Sequence, residues 1–167
     1  MECGWLQKSL VVCCLSSVVF NLSGKLFDLC QLKDRKWQVQ NTLTNLCHSV
    51  AVSITATCAL VFEPELAQDV IHQHSDLAQT SLCITAGFHI WDLADVTWHK
   101  WNGKWTNLVV LHHLGAFVLT VPMVALRKMV PFICIGQLSM IHESVFMLTR
   151  QGHCQGLRVR RQVLRKT

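Results

Sequence analysis

The chain has 167 residues, of which 51% are hydrophobic and only 15% charged, and it carries a formal net charge of +5. Soluble domains usually carry about a quarter charged residues, so this composition argues against an ordinary soluble surface. It also argues against intrinsic disorder, which requires low hydrophobicity. The nine cysteines form no C-x-x-C pair and mostly lie in apolar runs, which disfavours a disulfide-stapled secreted module.

Five apolar segments with few or no charged residues follow one another along the chain: 9–24, 37–62, 77–98, 105–126 and 129–149. The second and fourth contain no Asp, Glu, Lys or Arg over 26 and 22 residues. A helix that crosses the hydrocarbon core of a bilayer needs about 20 apolar residues. A globular helix would show a charged face, and these two segments do not. We therefore predict an all-α, multi-pass transmembrane helical bundle with about five spans.

The first segment allows two interpretations. Lys8 followed by a short apolar run is typical of a signal peptide. However, the run ends in Leu22-Ser23-Gly24-Lys25, which offers no clean small-x-small cleavage site. We favour a retained span, with cleavage as the alternative, which would leave four spans in the same orientation.

The distribution of basic residues predicts the orientation of the chain. Loops 25–36 and 99–104 and the tail from Arg150 carry four, two and six Lys or Arg residues, whereas the other side carries three in all. Cytoplasmic loops are enriched in Lys and Arg, so we predict an outside N-terminus and a cytoplasmic C-terminus. The tail 150–167 either only fixes this topology or also binds anionic lipid, and we favour the first interpretation. We predict no binding to nucleic acid.

Ionisable residues inside the apolar segments are the candidates for a functional site. In the third segment Thr85, His89, Asp92, Asp95 and His99 fall within one arc of about 120° on a helix. A charged group at the bilayer centre costs about 2.5–3.5 kcal/mol on insertion scales, so such residues usually face the bundle interior. We therefore expect this polar stripe to face other helices.

The other segments supply further polar groups. His48 shares a face of the second segment with Asn41 and Asn45, and either packs between helices or lines a site. Gly136, Ser139 and Glu143 share a face of the fifth segment, where Glu143 lies in the site or at a water-exposed span end. The predicted inward-facing set contains six residues: His48, Asp92, Asp95, His112, His113 and Glu143.

The order of several short motifs resembles the TLC domain family over about residues 35–149, and within it the branch of TLC domain-containing proteins 1 and 2. The matching stretches are Trp37 followed by His48-Ser49, the loop Pro64-Glu65-Leu66-Ala67, Gly87-Phe88-His89-Ile90-Trp91-Asp92-Leu93-Ala94-Asp95, the pair His112-His113, and Glu143-Ser144. The resemblance implies an N-terminal span and loop at 1–34, a TLC-like membrane domain at 35–149 and a basic tail at 150–167. It also implies that the domain is incomplete, because family members continue through further spans.

The resemblance further implies a function in membrane phospholipid composition, membrane fluidity and plasma-membrane organisation. We expect membrane lipids and other membrane helices as partners, plasma membrane rather than endoplasmic reticulum as location, and no cofactor or metal. The six inward-facing residues would form a lipid-binding pocket. One alternative is a lipid acyltransferase related to ceramide synthases, with His112, His113, Asp92 and Asp95 as candidate catalytic residues, although the acids here precede the paired histidines. A second alternative is a membrane protein with histidine-ligated metal or haem.

Overall fold

The structure, a computed structural model, describes residues 4–28, 36–99, 104–142, 145–146 and 149. Every regular element in these ranges is helical: α1 (Gly4–Asp28), α2 (Lys36–Phe62), a 3₁₀ turn (Pro64–Ala67), α3 (Asp76–Trp98), α4 (Lys104–Leu126) and α5 (Val130–Gln137). The prediction of an all-α fold is therefore confirmed.

Three of these helices are long and apolar enough to cross a membrane. The qualifying stretches are Gly4–Leu26 of α1, Gln40–Phe62 of α2 and Val109–Leu126 of α4. With 23 residues, α3 is also long enough, at about 34 Å, but it carries the acidic residues of the polar stripe. A shorter apolar helical stretch covers Val130–His142. The chain is an integral, multi-pass membrane protein.

The loop between α2 and α3 is held by local hydrogen bonds. Ser75 caps α3, because its Oγ accepts a bond from the backbone N–H of Ala78 at 2.9 Å. Asp69 Oδ1 accepts the backbone N–H groups of Ile71 and His72 at 3.1 and 3.0 Å. These bonds, first that from His72 and then that from Ile71, hold the pKa of the Asp69 carboxyl below its ordinary value.

The start of α1, this loop and the junction between α4 and α5 meet at one end of the bundle. Arg127 Nη2 donates to Asp76 Oδ1 at 3.0 Å and its guanidinium lies 5.7 Å from the centre of the Trp5 ring. The backbone N–H of Met129 donates to the carbonyl of Ile71 at 2.9 Å. These three segments therefore lie at the same end of the bundle, as they must if all three are on the side opposite the basic loops.

The third helix is the centre of the bundle, since α3 contacts α1, α2, α4 and α5. Its approach to α1 depends on Gly87. A Cβ atom at this position would collide with the Cys13 carbonyl oxygen and lie 2.8 Å from the Ser16 Cβ. The glycine therefore sets how closely the backbones of α1 and α3 approach.

A buried glutamine fastens α5 to its neighbours. Gln137 Oε1 accepts from the Ser81 hydroxyl at 2.6 Å, and its Nε2 donates to Thr85 Oγ1 at 2.7 Å, both on α3. From α2, the Ser53 hydroxyl donates to the backbone carbonyl of Gln137 at 2.9 Å. In a bilayer water does not compete for these hydrogen bonds, and the hydrophobic effect does not drive helices together. Such bonds therefore help to hold the helices in contact.

Candidate functional site in the bundle

A row of hydrogen-bonded side chains crosses the bundle from α2 through α3 to α4. His89 and Asp92 are three residues apart on α3, so both project from the same face. Asn41 of α2 donates from Nδ2 to Asp92 Oδ1, and His113 of α4 places its Nε2 3.1 Å from Asp92 Oδ2. One carboxylate therefore links three helices.

The row continues from His113 back to α3. The Nδ1 atoms of His113 and His89 lie 2.7 Å apart, with the two rings at 72° to each other. Asp92 is 3% exposed and His89 4% exposed. We call Asn41, Asp92, His113 and His89 the polar row.

A groove of about 470 Å³ lies between α3 and α4, and the polar row reaches it at His89. The remaining lining is mostly apolar and consists of Ile90, Leu93, Ala94, Thr97, Trp98 and Phe117. This volume falls within the range of about 300–1,000 Å³ that is typical of small-molecule sites. A mostly apolar groove with one buried polar group in its wall has the composition of a lipid site.

His48 lies beside the polar row without being bonded to it. Its ring stacks on that of Phe88, with centroids 3.9 Å apart and planes at 6°, and the Phe20 ring meets its edge at 5.6 Å. The side chain is fully buried, and neither ring nitrogen has a hydrogen-bond partner among the described residues. Its centroid is 6.3 Å from that of His89.

The other predicted site residues lie in three different places. His112 is exposed on α4, as expected for a neighbour that points about 100° away from His113. Asp95 Oδ1 lies 3.2 Å from His99 Nδ1, further along α3 and outside the polar row. Glu143 lies outside the described residues. Of the six predicted residues, the structure bonds Asp92 to His113 directly.

The sequence inventory of the site omitted two members of the polar row, His89 and Asn41. Both belong to polar helix faces that the sequence shows. His89 lies between Thr85 and Asp92 on one face of the third segment, and Asn41 shares a face of the second segment with His48. The useful signal was the shared helix face, which identifies residues that point together even where a single residue looks unremarkable. Among the described residues, no three His, Cys, Asp or Glu side chains are placed to hold a metal ion.

Chemically, the polar row can pass a single proton between a buried carboxylate and the wall of the groove. A carboxylate that orients an imidazole is a recurring arrangement for a general base, since it fixes which ring nitrogen carries the proton. Here a second imidazole extends the arrangement by one step, so the imidazole that lines the groove is His89 rather than His113.

Comparison with known proteins identifies relatives. TLC domain-containing protein 2 of Homo sapiens is 33% identical over 79 residues, which cover 47% of this chain and 30% of that protein. The Danio rerio protein of the same name is 27% identical over 89 residues, covering 50% and 36%. TLC domain-containing protein 1 of Gallus gallus is 31% identical over 88 residues, covering 50% and 34%. No solved structure matches the chain.

The matched region thus spans about a third of the length of these curated relatives. The TLC domain itself matches residues 38–148, which is more than half of the chain and includes the whole polar row. The chain therefore belongs to the TLC domain family.

Proposed function

We propose that this protein acts on the phospholipid composition and fluidity of the membrane by binding a lipid in the groove between α3 and α4. The proposal joins the role that the family resemblance implies to a feature of this chain. That feature is the contact between the polar row and the groove at His89. An ionisable residue within a membrane span is costly and usually serves a function, which supports a ligand at this position.

The groove is accessible from the outside of the bundle. Ile90 is 46% exposed and Trp98 is 84% exposed, whereas His89 is 4% exposed. In a bilayer the exposed side chains contact acyl chains, so a lipid reaches the groove sideways without passing through the bundle. The buried imidazole would then contact the polar part of that lipid, and the apolar lining would contact its chain.

The plasma membrane is the location we propose, with the loop between α2 and α3 outside and the basic tail in the cytoplasm. The asymmetry of Lys and Arg residues supports this orientation. The grouping of Trp5, Asp76 and Arg127 at one end of the bundle supports it too, because the topology requires these three residues to lie on the same side of the membrane.

The first prediction tests the groove through His113. Cells that lack the protein are rescued with the wild type, with His113→Ala or with Leu114→Ala, and the acyl composition of their phospholipids is measured by mass spectrometry. Leu114 is the matched control, because it is the next residue on α4, is 47% exposed and lies outside the polar row. We expect wild type and Leu114→Ala to restore the composition and His113→Ala to fail, because its loss leaves Oδ2 of the buried Asp92 carboxylate without its donor.

Equal amounts of each variant in the membrane must be verified by immunoblot. Full rescue by His113→Ala at an equal amount of protein would contradict a role of the polar row in the function. The composition of the lipids, rather than growth, is the required measurement, because it reports the proposed activity directly.

A lipid acyltransferase is the second candidate function, and the Asp92–His113–His89 arrangement favours it. A buried carboxylate behind two imidazoles resembles the machinery that activates a hydroxyl or amine by general base catalysis. Release of CoA from an acyl-CoA by the purified protein in lipid, above that of His113→Ala, would support the enzyme over the regulator.

A further inference from the structure

The distance between the Nδ1 atoms of His89 and His113 determines how these two atoms are protonated. Their Nδ1 atoms are 2.7 Å apart, which is the distance of a hydrogen bond. A ring nitrogen either carries a hydrogen and donates or carries a lone pair and accepts. One of the two Nδ1 atoms must therefore be protonated and the other must not.

Asp92 decides which of the two atoms carries the proton. Its carboxylate receives a hydrogen bond from Asn41 on Oδ1 and faces His113 Nε2 on Oδ2, and both contacts stabilise the ionised form. His113 Nε2 then carries a hydrogen, so a neutral His113 accepts at Nδ1. His89 must donate from its own Nδ1, and its remaining nitrogen, Nε2, carries a lone pair.

The lone pair of His89 Nε2 is available to a ligand. Among the described residues this atom has no hydrogen-bond partner and is not fully enclosed, and the groove is the open space that His89 lines. The Thr97 hydroxyl, also in the lining, already donates to the Leu93 carbonyl at 2.6 Å. The indole N–H of Trp98 is the donor in the lining. Trp98 lies nine residues after His89, which is about 13 Å along the axis of α3.

Around His89 the groove thus presents a hydrogen-bond acceptor and an apolar wall. Resting on the proposed function, we propose that the groove binds a lipid alcohol, whose free hydroxyl donates to His89 Nε2 while its chain lies against Leu93 and Phe117. An anionic headgroup at this point would face a lone pair backed by the buried Asp92 carboxylate, and would be repelled. The preference for a donor is thus a consequence of the proton order along the polar row.

The test compares two ligands that differ by one methyl group. The full chain is reconstituted in phosphatidylcholine nanodiscs and titrated with a 1,2-diacylglycerol that carries brominated acyl chains, or with its 3-O-methyl ether. Bromine quenches tryptophan fluorescence on contact, and Trp98 lies in the groove. The difference between wild type and Trp98→Phe isolates the quenching of this tryptophan from that of the other five.

We expect the alcohol to quench Trp98 at about a tenfold lower concentration than the ether, since one hydrogen bond is worth about 1 kcal/mol or slightly more. His89→Phe keeps an aromatic ring but removes both nitrogens. In this variant the alcohol should lose its advantage and bind like the ether. The two titrations of the wild type give the decisive comparison even if the variant fails to fold.

The outcomes separate this inference from the proposed function. Equal or tighter binding of the ether by the wild type would refute an acceptor at His89 Nε2 and leave the groove as a lipid site. A preference for the alcohol that persists in His89→Phe would likewise refute the role of His89. Absence of saturable quenching with either ligand would overturn both the inference and the groove as the lipid site.

Discussion

The imidazole of His48 stacks on the ring of Phe88 and lies beside the ring of Phe20, fully buried and without a hydrogen-bond partner among the described residues. A buried polar group without a partner costs about 1–3 kcal/mol. The packing of the ring, by contrast, contributes stability through its stacking on Phe88. The two effects oppose each other within a single side chain, so they can be separated by substitution.

The second prediction separates them. His48→Phe keeps the stacked ring and removes the unpaired nitrogens, so we expect a free energy of unfolding that is unchanged or about 1 kcal/mol higher. His48→Ala removes the ring as well and should lower it by about 2–4 kcal/mol. Unfolding by SDS in mixed micelles, followed by circular dichroism, measures both. A clear loss in His48→Phe would show that the nitrogens are bonded in the membrane.

At the residue scale the sequence predicts which groups face inward better than which groups meet. Asp92 and His113 were predicted to face inward, and His113 Nε2 lies 3.1 Å from Asp92 Oδ2. The partnership of His89 with His113 was not foreseeable, because it depends on how far α4 is rotated and shifted against α3. Helical periodicity gives the face of one helix and says nothing about the register between two. The predicted membership of all six residues in a lipid pocket stays a prediction: His48, Asp92, Asp95, His112, His113 and Glu143.

At the scale of elements, two glycines of similar sequence context have opposite surroundings. A Cβ atom on Gly87 would meet the backbone of α1 at Cys13 and the side chain of Ser16, whereas one on Gly115 of α4 would have nothing within 4 Å. Both lie within helices, where glycine is intrinsically less favourable than alanine by about 1 kcal/mol. The same substitution should therefore have opposite effects at the two positions.

The third prediction uses this pair. Gly87→Ala should lower the free energy of unfolding by about 1–3 kcal/mol, because α1 must move away from α3 to accommodate the methyl group. Gly115→Ala should be neutral or raise it by up to about 1 kcal/mol. The measurement is the same SDS titration, with both variants in one detergent mixture. Equal effects of the two substitutions would mean that α1 does not pack on α3 as described.

The ends of a helix were predicted correctly where a turn follows the apolar segment. They were predicted too short where a lysine lies within the helix near its end. The second and fourth predicted segments end at Phe62 and Leu126, where α2 and α4 end. The first was predicted over 9–24, but α1 extends over Gly4–Asp28. Lysines such as Lys8 and Lys25 can lie within a membrane helix near its ends, because their long side chains reach toward water. Uncharged length alone therefore underestimates the helix.

The fifth predicted segment, 129–149, is interrupted. The helix α5 ends at Gln137, residues 138–139 form a turn, and helix resumes at residue 140. Hydropathy does not register this break, since the residues on both sides are apolar. The turn follows directly after the glutamine that bonds to α2 and α3, so tertiary contacts rather than composition determine where α5 stops.

At the scale of the whole molecule, the contacts of Arg127 with Asp76 and Trp5 show that these three residues share one end of the bundle. The helix α1 packs closely on α3, with Phe20 of α1 against Phe88, and retention of this first segment as a span stays a prediction. A retained first span also agrees with the orientation that the basic residues predict, in which the two ends of the chain lie on opposite sides of the membrane.

The fourth prediction concerns this orientation. A cysteine at Glu65, exposed in the loop between α2 and α3, should react with a membrane-impermeant maleimide in intact cells. A cysteine at Lys25, exposed near the opposite end of α1, should react only after permeabilisation. Labelling is compared with that of the unsubstituted protein, which has cysteines of its own. The reverse labelling pattern would show that the topology is inverted. Labelling of neither cysteine in intact cells would contradict a location in the plasma membrane.

The central position of α3 also has a consequence for the biosynthesis of the protein. Helices leave the ribosome in chain order, so Asn41 of α2 is already in the membrane when α3 emerges, but His113 of α4 has not yet reached the membrane. During that interval the Asp92 carboxylate has only one of its two donors, and α3 is poorly suited to free lipid. A nascent chain stalled before α4 should therefore remain beside the insertion machinery, and we expect the arrival of α4 to favour release of the bundle into the bilayer.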